Sequence, residues 1–158
     1  MFGNKRTSKI LANEFHINLG PASTITEILD TGAIPKYYFR FQTISYLQSF
    51  TNTNTEFPDF IGLVKDLKDL KKKNGEPFLM LTMTDIDGDE IKITLWNECI
   101  GFAEKFDRAA LTATPGPIVA AITNLQITTL GESRRIGSRE ATYVFVNPDI
   151  PETAELLT

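Results

Sequence analysis

The only tryptophan of this chain, Trp96, ends an alternating stretch whose two faces differ in chemistry. Successive side chains of an extended strand point to opposite faces of a sheet, so one predicted face is aliphatic and carries Ile91, Ile93 and Leu95. The other predicted face carries Lys92, Thr94 and Trp96. A flat π-surface beside a cation and a hydroxyl suits the stacking of a nucleic-acid base with its phosphate. The alternative is a tryptophan that closes the rim of a barrel.

The overall charge gives no bulk attraction to nucleic acid, because 16 Lys and Arg stand against 20 Asp and Glu, for a net charge of −4. Nucleic-acid binding would therefore need local clusters of basic residues. Two clusters are present, the run Lys71, Lys72 and Lys73 and the group Arg134, Arg135 and Arg139. Taken alone, such a run is more typical of a solvated hairpin tip, and Glu132 and Glu140 partly offset the arginines.

The sequence gives no support for catalysis, a metal site or a cofactor. One cysteine, Cys99, and one histidine, His16, exclude an intrachain disulfide and a Cys/His zinc site. The acidic stretch 85–90 lacks the glycine and glutamate spacing of a calcium loop, and no Walker or dinucleotide-binding glycine motif is present. No apolar run reads as a secretory signal or a membrane span. We therefore expect a non-enzymatic chain without cofactor or membrane segment.

The elements that must position these residues are mostly short strands. Alternation over residues 15–19 and 37–41 predicts N-terminal strands, and the polar spacer 51–55 separates them from the second half. In the second half the patterns predict five strands and one intervening helix: strands over 60–68, 78–84, 90–96, 118–130 and 141–146, and a helix over 97–106. A further helix is predicted after Pro151. Gly62, inside the first of these five strands, favours a sharp bend.

This order predicts an all-β protein with one or two short helices, an OB-fold with a five-stranded Greek-key barrel and an N-terminal β extension. The lysine run falls between strands one and two, and the arginine group between strands four and five. Those are the loops with which OB-folds clasp oligonucleotides. We expect residues 1–12 to be a linker, residues 13–56 to be strands that pack on the barrel, and residues 57–158 to be the barrel with its C-terminal helix.

Several blocks of the sequence resemble the large subunit of replication protein A, in the same order and over nearly the whole chain. The segment 146–152, Val-Asn-Pro-Asp-Ile-Pro-Glu, is a close match to the one that closes the second DNA-binding domain of that protein. The passage 88–98, which ends in Thr-Leu-Trp-Asn-Glu, resembles its strand-to-helix transition. Residues 14–17, 34–41 and 59–65 support the same resemblance.

The resemblance implies a non-catalytic OB-fold that stacks bases of single-stranded DNA on two aromatic residues. Trp96 matches the first of them, whereas Leu130 lies near the position of the second and offers no π-face. Phe78 is the candidate substitute, because alternation places it on one face with Met80 and Thr82, on the strand that pairs with the tryptophan strand. A slip of one residue in register would instead bury Phe78 in the core.

The sequence and the resemblance together predict a groove that binds single-stranded DNA, in which Trp96 stacks a base and Thr94 and Thr82 form hydrogen bonds with bases or backbone. Phosphates would be neutralised by the basic residues Lys71, Lys72, Lys73, Lys92, Arg134 and Arg135. The resemblance implies a nuclear role in DNA replication, repair or telomere maintenance, with neighbouring OB domains and other subunits as partners. The departures at Leu130 and Phe78 suggest a diverged member, such as a telomerase-associated ciliate paralogue. The alternative is an OB-fold protein-interaction module, which the negative net charge and Leu130 favour.

Overall fold

The structure is a computed structural model that describes residues 2–3 and 15–158, with side chains from Phe15 onward. Its elements in chain order are β1 (Phe2–Gly3), β2 (Phe15–His16), α1 (Ile44–Gln48), β3 (Phe60–Lys71), β4 (Pro77–Thr84), β5 (Glu90–Leu95), α2 (Asn97–Ile100), α3 (Arg108–Ala113), β6 (Val119–Ile122), β7 (Gln126–Leu130), β8 (Ser133–Gly137), β9 (Val144–Val146) and α4 (Pro151–Leu157). None of these helices is long and apolar enough to cross a membrane.

Seven strands form one sheet in the order β7-β8-β5-β4-β3-β6-β9. All pairings are antiparallel except that of β5 with β8, which is parallel. Only residues 123–125 separate β6 from β7, so two strands near opposite ends of the sheet order are joined by a short connection. The sheet must therefore curl on itself, and the predicted OB-fold class, mainly β with short helices, is confirmed.

The break between β6 and β7 depends on a buried carboxylate. Asp59 Oδ1 accepts a hydrogen bond of 2.9 Å from the backbone N–H of Asn124, and its Oδ2 accepts one of 2.7 Å from the backbone N–H of Arg40. Asn124 has a positive φ of 52°, a conformation that asparagine tolerates better than most residues. Asp59 thus fixes both the strand break and the approach of the N-terminal segment to the barrel.

The core has the alternating pattern that the sequence predicts for β4 and β5. Leu79, Leu81 and Met83 of β4 are fully buried, and so are the inward residues of β5, Ile93 and Leu95. They pack with Phe60, Leu47 and Ile122 in one hydrophobic cluster. The outward residues of both strands are therefore left on a shared face.

Gly62 lies where β3 changes partner. β3 pairs with β6 over Phe60–Leu63 and with β4 from Leu63 onward. A Cβ at Gly62 would lie 2.6 Å from the carbonyl oxygen of Thr84, closer than real Cβ atoms come to backbone. The glycine is therefore needed for the close approach of two strands at this corner.

Three strand predictions from the second half need correction. The predicted strand 118–130 is two strands, β6 and β7, because Asn124 turns the backbone between them. The predicted strand 141–146 is only Val144–Val146. β8, which closes the barrel against β5 and β7, was predicted as a loop, so Arg134 and Arg135 lie on a strand and not in a loop.

The helices also differ from the prediction. The expected helix 97–106 ends at Ile100, and Gly101 is its C-cap. A separate helix, α3, follows after Asp107, whose Oδ1 accepts a hydrogen bond of 3.1 Å from the N–H of Ala110. α1 was not predicted, and Thr43 caps its N-terminus in the same way.

The described N-terminal region is less regular than its alternation predicts. The β extension is limited to the pairing of β1 with β2, in which Phe2 lies opposite His16 and Gly3 opposite Phe15. Residues 17–40 contain no strand, although Phe41 forms an isolated bridge with Asp59. The division of the chain at residues 12 and 56 stays a prediction, and most of the proposed linker 1–12 lies outside the described residues.

Candidate nucleic-acid interface

The residues predicted to face away from the core do so on β4 and β5. Met80 lies opposite Thr94 and Thr82 opposite Lys92 in the antiparallel ladder. One step further along, the rings of Phe78 and Trp96 lie side by side, with centroids 5.2 Å apart and planes inclined by 42°. Register therefore places Phe78 outside the core, beside the indole.

These side chains form one wall of a cleft of about 550 Å³. The opposite wall comes from the β7–β8 hairpin. The cleft is lined by Phe78, Met80, Lys92, Thr94, Trp96, Gln126, Thr128, Leu130, Arg134, Arg135, Ile136, Gly137 and Ser138. Seven of the residues predicted from the sequence are in this set, whereas Thr82, Lys71, Lys72 and Lys73 do not line it.

The indole of Trp96 is positioned by the strand that the sequence prediction missed. The backbone N–H of Trp96 donates a hydrogen bond of 2.7 Å to Ser138 Oγ, and the N–H of Ser138 donates one of 2.8 Å to the carbonyl of Thr94. A Cβ at Gly137 would lie 3.0 Å from the indole nitrogen. Gly137 and Ser138 thus determine where the ring sits, and the glycine was the only local signal of that close approach.

A lysine side chain lies over the indole. Lys72 Nζ is 4.7 Å from the centroid of the Trp96 ring, within the range of a cation–π contact. The same ammonium donates a hydrogen bond of 2.7 Å to Glu76 Oε2. This bond holds the pKa of Glu76 below its ordinary value. The lysine run is therefore at the mouth of the cleft through Lys72, while Lys71 and Lys73 are exposed beside it.

The two arginines of β8 have different environments. Arg134 is half-buried, and its Nε donates a hydrogen bond of 2.5 Å to the carbonyl of Phe50. Its Nη1 donates to the carbonyls of Gly131 and Ser133, each at 3.2 Å. Arg135 is exposed on β8, opposite Thr128 of β7. Arg134 therefore ties the hairpin to the end of α1, and Arg135 is the more available of the two cations.

Leu130, at the position implied for a second stacking residue, is 49% exposed at the end of β7. It lines the cleft but gives only an aliphatic contact. The second aromatic ring of the cleft belongs to Phe78.

No protein-family model matches the chain. Two of the replication protein A 70 kDa DNA-binding subunits of Arabidopsis thaliana are among its relatives. It is 29% identical to the first over 160 residues, covering 92% of this chain and 17% of that protein. It is 30% identical to the second over 154 residues, covering 94% of this chain and 23% of that protein. The corresponding protein of Xenopus laevis is 27% identical, with 97% of this chain and 24% of that protein covered. The chain thus spans a quarter or less of the curated relatives that it matches.

Among solved structures, the fold is similar to that of a replication protein A heterotrimer bound to single-stranded DNA. The TM-score is 0.61 at 22% identity, and the match covers 94% of this chain and 34% of the other. The predicted resemblance is confirmed at the level of sequence and fold: this chain is similar, over nearly its whole length, to a region of the replication protein A 70 kDa DNA-binding subunit.

Proposed function

We propose that this chain is a non-catalytic OB domain that binds single-stranded DNA. The observation that carries the proposal is the pair of rings, Phe78 and Trp96, set side by side in an open cleft with cations at its edges. Aromatic rings combined with a positively charged groove are the usual means by which proteins hold single strands without reading their sequence.

In this proposal each part of the cleft has a distinct task. Trp96 stacks one base, and Phe78 takes the stacking role for which Leu130 has no π-face. Thr94 lies between them and Lys92 and presents a hydroxyl to a base or sugar. Phosphates are neutralised by the cations at the edges of the cleft: Lys71, Lys72, Lys73, Lys92, Arg134 and Arg135. Thr82 lies opposite Lys92, at the far end of the same face.

The relatives support the same conclusion, since they are named DNA-binding subunits and the solved neighbour holds single-stranded DNA. By extension, we propose a nuclear role in DNA replication, repair or telomere maintenance, with neighbouring OB domains and other subunits as partners. The telomerase-associated assignment stays a prediction.

A second candidate function is a protein-interaction module, in which the cleft holds a peptide. The aliphatic Leu130 in place of a ring favours it, as does the net charge of −4. The two functions differ in what happens to the indole, because a stacked base quenches tryptophan fluorescence and a peptide has no base to stack.

The decisive experiment uses Trp96, which is the only tryptophan and therefore reports on this cleft alone. We expect a short oligothymidylate to quench its fluorescence. Trp96→Ala should weaken binding by about ten- to a hundredfold, measured by fluorescence anisotropy of a labelled oligonucleotide, because stacking contributes about 1–3 kcal/mol per base. Trp96→Phe keeps a ring and should retain most of the affinity. Equal affinity of Trp96→Ala and the parent would refute the proposal.

Phe78→Ala tests the second stacking position in the same assay. We expect a loss of the same order as that of a single stacked base, about fivefold or more. Phe102→Ala is the matched control, since Phe102 is 49% exposed and lies outside the cleft. A loss of equal size in both variants would assign the effect of Phe78 to folding.

A further inference from the structure

A second group of aromatic side chains lies outside the cleft. Tyr37 stacks on Phe39 with ring centroids 5.4 Å apart, and Phe39 stacks on Phe41 at 4.8 Å. Tyr143 stacks on Phe145 at 6.4 Å, and Phe145 meets Tyr37 and Phe39 edge-on. We call these five residues the aromatic strip. It joins the N-terminal segment to β9.

The strip is attached to the barrel by hydrogen bonds, although Tyr37, Phe39 and Phe41 belong to no strand. The backbone N–H of Arg40, between two of its rings, donates to the buried Asp59 carboxylate, and Phe41 bridges to Asp59. On the other side, Tyr143 exchanges hydrogen bonds with Thr123, whose N–H donates to the Tyr143 carbonyl at 3.0 Å. A surface fixed at both sides in this way is preorganised for a ligand.

A cavity of about 330 Å³ opens along the strip. Its lining combines rings with cations: Lys36, Tyr37, Tyr38, Phe39, Arg40, Asp59, Thr123, Asn124, Tyr143 and Phe145. Lys36 Nζ lies 5.1 Å from the Tyr37 ring centroid, and Tyr143 is 39% exposed. The one carboxylate of this lining, that of Asp59, is buried and accepts two backbone N–H groups, so its charge is partly compensated. Lys36 is exposed, so the cavity has a cation at its edge in a chain of net charge −4.

The cavity and the first cleft are lined by residues that are close together in the chain. Asn124 lines the cavity and Gln126, two residues later, lines the cleft. Two residues span at most about 7 Å of extended chain, so these two lining residues lie close together. A strand that leaves the cleft at Gln126 therefore has only a short distance to cover before it reaches Asn124 and the cavity.

We propose that the aromatic strip is a second contact surface for single-stranded nucleic acid, which extends the strand held in the cleft. This inference rests on the proposed function of the cleft. Tyr143, the most exposed of the five rings of the aromatic strip, stacks a base, and Lys36 neutralises a phosphate. Rings that alternate with cations, next to a cleft of the same composition, fit a nucleic acid better than a peptide.

The experiment compares two lengths of oligothymidylate, of about 4 and about 16 nucleotides, the limits of the site size of one OB-fold. We expect Tyr143→Ala to weaken binding of the long oligonucleotide by about fivefold or more and to leave the short one unchanged. Lys36→Gln, an exposed change that leaves the core intact, should lower the salt slope for the long oligonucleotide by about 0.7, the value for one phosphate of a single strand. Trp96→Ala is the reference and should weaken both lengths.

The outcomes separate the two proposals. If Trp96→Ala weakens both lengths while Tyr143→Ala and Lys36→Gln change neither, the strip serves another occupant, such as a protein, and this inference is wrong. If both strip variants weaken the two lengths equally, the effect is not local and the inference is also wrong. If Trp96→Ala has no effect on either length, the function proposed for the cleft fails instead.

Discussion

At the scale of single residues, the Trp96 indole already has a side chain of the protein, Lys72, over its ring. Lys72 Nζ lies over the ring and is held by Glu76, so the ammonium has two partners at once. A base that stacks on that side of the indole must displace Lys72, and a phosphate can then replace Glu76 as its counterion. If the cleft binds a strand as proposed, we expect Glu76 to compete with it for the ammonium that lies over Trp96.

Glu76→Gln tests this competition. The pKa of Glu76 lies below its ordinary value because of the hydrogen bond from Lys72, so the side chain is a carboxylate at neutral pH and the ion pair is formed. Removing the charge should release Lys72, tighten binding at low salt and steepen the salt slope by about 0.7. Glu155→Gln on α4 changes the net charge equally and is the control. An affinity and slope equal to those of the control would show that Glu76 does not compete.

At the scale of the elements, the barrel depends on the corner at which β3 passes from β6 to β4. Gly62 sits one residue before Leu63, which pairs with both neighbours. The nearest obstacle to a side chain there is a backbone carbonyl, that of Thr84, at 2.6 Å. A carbonyl cannot rotate away as a flexible side chain can, so a strand must shift.

We predict that Gly62→Ala lowers the free energy of unfolding by about 1–3 kcal/mol, the usual cost of forcing extra volume into a packed site. Urea denaturation followed by tryptophan fluorescence measures it. Gly20→Ala is the control, since nothing lies within 4 Å of a Cβ at that position. A Gly62→Ala protein as stable as Gly20→Ala would show that the strands at this corner can move apart without a cost in stability.

At the scale of the whole molecule, Cys99 reports on the closure of the barrel. It is fully buried in the core cluster, and its Sγ–H donates to the Thr142 carbonyl at 3.8 Å. Burial raises the pKa of this thiol to about 11, from 9.0. A raised pKa means that the native fold favours the protonated thiol. Its contribution to stability is therefore complete below about pH 9 and is lost as the pH rises toward 11.

We therefore predict that the native protein reacts slowly with an aromatic disulfide reagent at pH 8, because the thiol is both buried and protonated. The same protein in concentrated urea is the control, and there the reaction should be fast. The native rate should increase with urea in step with the unfolding transition. Fast labelling without denaturant would show that the barrel opens locally around α2.

Local patterns in the sequence were sufficient for the part of the site that lies on β4 and β5. Alternation within a hairpin depends only on neighbouring residues, so the faces of Trp96, Thr94 and Phe78 followed from residue types. Each strand was recognised from its own residues, and the order of the strands then indicated the OB-fold. The block at residues 146–152 carried the resemblance to replication protein A.

Only the tertiary structure decided the other wall of the cleft. β8 has the sequence Ser-Arg-Arg-Ile-Gly, which shows no apolar alternation. It becomes a strand because it pairs with β7, its hairpin neighbour, and with β5, which lies far from it in sequence. Other contacts between distant segments are equally invisible in the sequence. Arg134 donates to the Phe50 carbonyl, Gly137 lies next to the indole, and the rings of the aromatic strip come together. The sequence determines which side chains each strand offers, but contacts between distant segments determine which of them meet, because those contacts arise only when the sheet closes.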